Sequence, residues 1–175
     1  TASRSTSWRS WTFSWVAPDF DDSSWGSAKL VNRQREYATW RSPLPHIWPD
    51  TAGYWIGPNR ADVTATSGPT GAALYRKSFT LADDATVRIF GAGDNSLVAY
   101  LDGAPITDGK SFTVGKYIDM DLTAGTHVIA ARGNNYPKAT LPNPTGIIMA
   151  VYTVGDAGLL DELVVHTDHT WNAIY

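Results

Sequence analysis

Cysteine is absent from the 175 residues. Disulfides, thiolate nucleophiles and cysteine-ligated zinc are thereby excluded, and the fold must rest on its apolar core. No apolar run approaches the roughly 20 residues of a membrane-spanning helix, so no membrane insertion is expected. Basic residues form no cluster, and 14 Lys and Arg against 17 Asp and Glu leave a net charge of -3. That balance offers nothing to a phosphate backbone, and no nucleic-acid partner is expected. Catalytic signatures are missing as well. There is no G-x-S-x-G elbow, no P-loop and no dinucleotide fingerprint. His46, His127, His166 and His169 are dispersed, and Asp161 and Glu162 are adjacent, so on a strand they face opposite ways. Glycosidase carboxylates must instead flank one bond. The chain is expected not to be an enzyme.

What the chain does contain is aromatic side chains and turn residues: 8 Trp, 8 Tyr, 15 Gly and 10 Pro. With 43% hydrophobic and 18% charged residues, the composition is that of one globular domain over residues 1–175. Residues 1–70 are Trp-rich and broken by Pro18, Pro43, Pro45, Pro49 and Pro58, and 57–71 reads as a long loop. From 71 to 175 short segments of strand type follow at regular spacing. Residues 73–81 alternate Tyr75, Phe79 and Leu81 against Arg76, Ser78 and Thr80, which predicts a half-buried strand. Residues 85–92, 96–101, 116–122, 126–135 and 145–154 read as further strands. Asp102-Gly103 suits a two-residue hairpin turn. Trp11, Phe13 and Trp15 alternate, predicting a strand there too. The fold class is all-β: an antiparallel β-sandwich of jelly-roll type.

The motifs also come in a telling order. "FDDSSWGSAKL" is followed by "LYRKSFTL", "GAGDNSLVAYLDGAPI", "LTAGTHVIAARGNN", "NPTGIIMAVY" and "HTDHTWNAIY". Over residues 17–173 this order resembles the galactose-binding-like β-sandwich domains. Those are accessory modules of rhamnosidases, β-galactosidases and other glycoside hydrolases, with similar modules in phage tail and fibre proteins. "GAGDN" departs from the family's Ala-Asp-Asp, leaving Asp94 and Asn95 as the matching pair, and "LDG" stands for Leu-Asn-Gly. The resemblance implies a sandwich that binds carbohydrate or packs against a neighbour.

Three places could carry recognition. Asp94 and Asn95 lie between two strands, where turn chemistry explains them and sugar hydroxyls would also suit them. Asn134, Asn135 and Tyr136 open the polar loop 133–146, pairing planar amides with an aromatic face, the combination a sugar ring needs. Trp48 and Trp55, like Trp40, sit in the Pro-rich region as a candidate stacking platform or protein contact. Asp19, Asp21 and Asp22 offer hard oxygens for a structural Ca²⁺, but without the spacing of a self-contained calcium loop. The alternative, favoured on that ground, is that Asp22 caps a turn which drops Trp25 into the core. No other cofactor is expected.

The reading that follows is a non-catalytic, lectin-like module for a glycan or cell-surface polysaccharide, in an extracellular or virion setting. The start "TASRSTSWRSW" lacks a secretory-signal stretch, which fits an excised piece or release by lysis. Two alternatives stand beside it. One is a structural virion protein docking other virion proteins or its own copies; the other is an accessory domain of a glycoside hydrolase.

Overall fold

A computed structural model describes residues 14–33, 53–109, 112–140 and 142–175. Its strands are β1 (Gly26–Ser27), β2 (Lys29–Arg33), β3 (Tyr54–Gly57), β4 (Gly71–Leu81), β5 (Ala85–Asp94), β6 (Ser96–Leu101) and β7 (Ala104–Gly109). They continue as β8 (Lys116–Leu122), β9 (Gly125–Asn135), β10 (Gly146–Val154), β11 (Leu160–His166) and β12 (Asn172–Ile174). One sheet runs β1-β12-β4-β9-β6-β7; the other runs β2-β3-β10-β5-β8, with β11 also paired to β10. Every strand pairing is antiparallel. The fold is therefore an antiparallel β-sandwich. Among the described residues no helix is long and apolar enough to cross a membrane.

The inner faces follow from period-two alternation. Tyr75, Phe79, Leu97, Leu101 and Ile129 from the first sheet meet Ile56, Val87, Ile89, Ile147 and Met149 from the second, with Trp171 fully enclosed among them. The second sheet is apolar on its other face as well. There Trp55, Phe90, Ala92, Ile148 and Ala150 are wholly buried and form a second cluster with Tyr152. This explains the unbroken apolar run of β10, since a strand buried on both faces has no polar side to alternate with.

The first sheet's outer face carries a different cover. Arg76, expected on a solvated face, is only 3% exposed. The alternation is as expected, but residues 15–22 lie over that face. The Arg76 guanidinium donates to Trp15 O (2.5 Å), Ala17 O (3.0 Å), Phe20 O (3.4 Å) and Asp22 Oδ2 (2.9 Å). Trp15 lies in a single 3-10 turn, Ser14–Val16, and not in a strand. Its ring packs edge-on to Tyr100 (5.3 Å between centroids) and against Trp25 (6.5 Å), which in turn meets Phe20 (5.8 Å). Trp25 is thus half-buried in an aromatic layer outside the sheet and does not enter the inner core. Trp8 and Trp11 lie outside the described residues.

At the far end of the first sheet, Asp102 (φ 47°) and Gly103 (φ 88°) form the two-residue hairpin turn between β6 and β7, with Leu101 opposite Ala104. Both conformations lie in the left-handed region that glycine favours and aspartate tolerates. The Asp102 carboxylate accepts from Val128 N (2.8 Å) and sits 2.7 Å from Nδ1 of His127, whose Nε2 faces Thr123 O at 2.9 Å. Both ring nitrogens therefore face acceptors, which is the arrangement an imidazolium satisfies. Burial alone lowers the His127 pKa. The hydrogen bonds to Asp102 and Thr123, with the Asp102 charge, outweigh it and leave the pKa raised above 6.5. A raised native pKa means the protonated form favours folding. Its contribution is complete below the unfolded-state value and fades as pH climbs through the native one. Urea midpoints should thus fall as pH rises from below 6.5 through the raised value. His127→Gln should flatten that slope. An unchanged slope in the variant would assign the pH dependence elsewhere.

Candidate functional site

Four strand ends meet at the end of the sandwich opposite this hairpin: the last residues of β5 and β9 and the first residues of β4 and β6. Gly71 pairs with Asn135, and Ser96 pairs with Asn134. The turn from β5 to β6 is one residue long, Asn95, so its side chain is set on the rim where the chain crosses from one sheet to the other.

Asn95 binds the neighbouring chain at two points. Its N–H donates to Asn134 O (2.6 Å), and its Oδ1 accepts from Tyr136 N (2.6 Å). Asn134 Nδ2 and the Tyr136 hydroxyl both donate to Ser96 Oγ, each at 3.2 Å. Asn143 Nδ2 closes the group on Tyr136 O at 3.3 Å. Tyr136 is held through its N–H, its carbonyl and its hydroxyl, yet remains 55% exposed. The result is a fixed aromatic ring on the surface, flanked by two amides and a hydroxyl. Among the described residues Asn95 Nδ2 and Asn134 Oδ1 have no hydrogen-bond partner, leaving one donor and one acceptor beside the ring. A pyranose asks for this set: alternating donors and acceptors for hydroxyls, and a rigid ring for C–H groups.

The structure places the other candidate residues variously. Asp94, 4% exposed, ends β5 opposite Gly146 and lies beneath the rim. Asn135 belongs to the strand and faces the other way from Asn134, as strand alternation requires. It is 2% exposed, and its Nδ2 donates to Pro69 O (3.0 Å) and Gly68 O (3.4 Å), so it clamps the loop before β4 instead of facing solvent. Trp55, wholly buried in the second sheet's outer cluster, offers no face for stacking. A single apolar stretch, "YWIG", fills both faces of β3, which is why Trp55 is enclosed. Trp48 lies outside the described residues.

The turn at the aspartates is built differently from the expected Asp22 cap. Asp21 Oδ1, not Asp22, accepts from a following backbone N–H, that of Ser23 (3.0 Å), and hydrogen bonding from the Ser23 side chain first, then from this N–H, holds its pKa down. The Asp22 carboxylate faces Arg76, and its main-chain carbonyl accepts from Trp25 N (2.9 Å). Asp19 is exposed. Among the described residues no three His, Asp or Glu side chains converge as a metal site. Asp22 is committed to a buried guanidinium, which is the physical objection to a calcium ion there.

Ser96 and Asn143 were not singled out in the sequence. Ser96 was within reach, because it directly follows Asp94-Asn95 and its hydroxyl is the kind of group a small polar cluster shares. Asn143 carried no signal: it reaches Tyr136 through an isolated bridge with Ser67 that no local pattern foretells. A cleft of about 530 Å³ lies at the opposite end between the β4–β5 turn and β11. Asp83, Asp84, Asp161 and Glu162 line it and no aromatic does, so it lacks a surface for a sugar ring.

No family model and no curated protein sequence matches the chain. Solved structures do share its fold. A lectin from Pleurotus ostreatus in complex with GalNAc is 18% identical, with a TM-score of 0.60 over 85% of this chain and 40% of the lectin chain. The Streptomyces avermitilis α-L-rhamnosidase complexed with L-rhamnose is also 18% identical, with a TM-score of 0.61 over 87% of this chain and 14% of that one. A GH78 family rhamnosidase of Bacillus sp. GL1 gives 15% and 0.53 over 74% of this chain and 14% of its own. The chain thus spans less than half of the chains it matches.

Proposed function

We propose that this domain is a non-catalytic carbohydrate-binding module whose site is the Asn95–Ser96–Asn134–Tyr136 rim. The observation that carries this reading is the pinned, 55% exposed ring of Tyr136 beside uncommitted amide groups. The fold shared with a GalNAc-bound lectin supports it. Binding is an equilibrium: the ring takes the apolar face of a sugar while Asn95 and Asn134 read its hydroxyls. Such polar single sites are weak, and display in many copies, as on a virion fibre or a cell wall, raises avidity without new contacts. The likeness to a short part of an α-L-rhamnosidase chain favours a second reading, a module carried beside a catalytic domain.

The test is titration of the purified domain with GalNAc, galactose and L-rhamnose, followed by a glycan array. Tyr136→Ala should weaken binding about tenfold, the worth of one aromatic contact. Asn95→Ala should weaken it further, because it removes both the free amide and the bond that sets Tyr136. Wild-type protein that binds nothing on the array would sink the proposal.

A further inference from the structure

The face that carries Asn134, Ser96 and Tyr136 continues inward from the rim. Along β9, Ile129 and Ala131 belong to the inner core, so Arg132 and Asn134 both stand on the outer face. The register with the neighbouring strands is unbroken here. Leu74 and Val98 lie directly opposite Arg132, as Ala72 and Ser96 lie opposite Asn134. The outer face therefore presents two adjacent rows: Ala72, Asn134 and Ser96 at the rim, then Leu74, Arg132 and Val98. Along the strand, Arg132 and Asn134 are about 7 Å apart, a step that an arginine side chain spans. The next row inward is Arg76, Ala130 and Tyr100, and there the cover by residues 15–22 begins. The strip between cover and rim is open. Arg132 is exposed, and Leu74 and Val98 are half-buried and belong to neither core cluster.

Arg132 also differs from other arginines of the domain. Arg60, Arg76 and Arg88 each hold an aspartate, at 2.9, 2.9 and 2.6 Å. Among the described residues Arg132 has no ion pair and no hydrogen bond. Asp108 lies in the same row beyond Val98, but Lys116 holds it at 3.1 Å. Asp94, beneath the rim, is 4% exposed. The fold does not explain an arginine here. Between Leu74 and Val98 an apolar or β-branched side chain would pair better, and no carboxylate needs neutralising. Apolar neighbours on both sides let the methylene stem lie against them and leave the planar fork at the surface.

We infer that Arg132 is the charge-reading residue of the rim site, so that the ligand is an acidic glycan. Its carboxylate is carried on the sugar stacked at Tyr136 or on the unit beside it. This inference rests on the carbohydrate-binding reading and adds the ligand's chemical class. The guanidinium meets a carboxylate with two parallel hydrogen bonds while the Tyr136 ring takes the apolar face of a sugar. The chain's net charge of -3 offers no general attraction to anions, so a preference for acidic sugars has to come from a local group.

The experiment uses matched pairs in calorimetric titrations: galactose against galacturonic acid, and GalNAc linked to glucose against GalNAc linked to glucuronic acid. In at least one pair the wild-type domain should bind the acidic member about tenfold more tightly. That preference should shrink in about 1 M salt, because the guanidinium is exposed. Arg132→Gln should abolish the preference and leave both the neutral-sugar affinity and the thermal midpoint unchanged. Arg132→Lys should keep only part of it, since an ammonium has the charge without the fork. Arg88→Gln removes the same charge from the other sheet and should keep the preference whole. Tyr136→Ala should weaken acidic and neutral sugars alike. If wild-type protein binds both members of each pair equally, or Arg132→Gln keeps the preference or weakens both members alike, the role of Arg132 is wrong while the rim site stands. If no sugar binds at all, both fall together.

Discussion

Arg76→Ala is expected to lower the unfolding free energy by about 3 kcal/mol, the low end for breaking a buried ion pair, because Asp22 at the rim of the contact can rehydrate. The cause is not the ion pair alone. Arg76 is 3% exposed and serves three main-chain carbonyls besides Asp22, and those carbonyls belong to the segment that covers the sheet. Without the guanidinium the segment has lost its anchor, and the layer of Trp15, Trp25, Phe20 and Tyr100 loses its support. Urea unfolding followed by tryptophan emission reads both effects: a lower midpoint, and a red-shifted native spectrum as Trp15 and Trp25 meet water. Arg76→Lys should not rescue, because a single ammonium cannot reach acceptors that a planar fork serves together. Asp22→Ala should cost less, since Arg76 keeps its three carbonyls. Sugar binding should survive in all three variants below their midpoints, because Arg76 lies five residues along β4 from the rim, about 17 Å. An unchanged midpoint in Arg76→Ala would mean the cover is held by something else.

That anchor shows where sequence reasoning stopped. The alternation of Tyr75, Phe79 and Leu81 against Arg76 located β4 and its inner face, because period two is a local property. Whether the other face meets water depends on chain that returns from 54 to 61 residues away, and nothing near Arg76 announces it. The same limit applies to the site. Asn95 and Tyr136 are 41 residues apart and touch only because β6 and β9 are neighbours in the sheet. Residue chemistry flagged both. It could not tell Asn134 from Asn135, since one residue of strand register decides which faces out. The Asp102-Gly103 turn, by contrast, was legible in full, because its conformation is dictated by the two residues that form it. At the aspartates the scaffold role was the favoured reading, but the partner of Asp22 was not legible, because the guanidinium that claims it lies 54 residues away.

The largest expected loss of binding from a single methyl group is Gly93→Ala. A Cβ on Gly93 would stand 2.7 Å from Ser96 O and 2.8 Å from Ser96 C, with Leu97 Cβ at 3.0 Å. The first two are backbone atoms of β6, the strand that begins just past the turn, so no side-chain rotation relieves the clash; the one-residue turn at Asn95 must shift. Overpacking of this kind costs about 1–3 kcal/mol in stability. The functional cost is larger, because Ser96 Oγ is the shared acceptor for Asn134 and Tyr136, and Asn95 holds the Tyr136 backbone. Moving the turn uncouples the ring from both amides at once, and sugar affinity should fall by more than the tenfold expected from deleting the Tyr136 ring alone. Gly91→Ala is the matched control. Its Cβ would come just as close, 2.7 Å, but to Leu97 Cδ2, the end of a side chain that can rotate, with Met149 Cε next at 3.6 Å. That variant should lose some stability and keep its affinity. Calorimetric titration of both, at a temperature where both are folded, decides the matter: equal affinities would show that the β5–β6 turn does not form the binding surface.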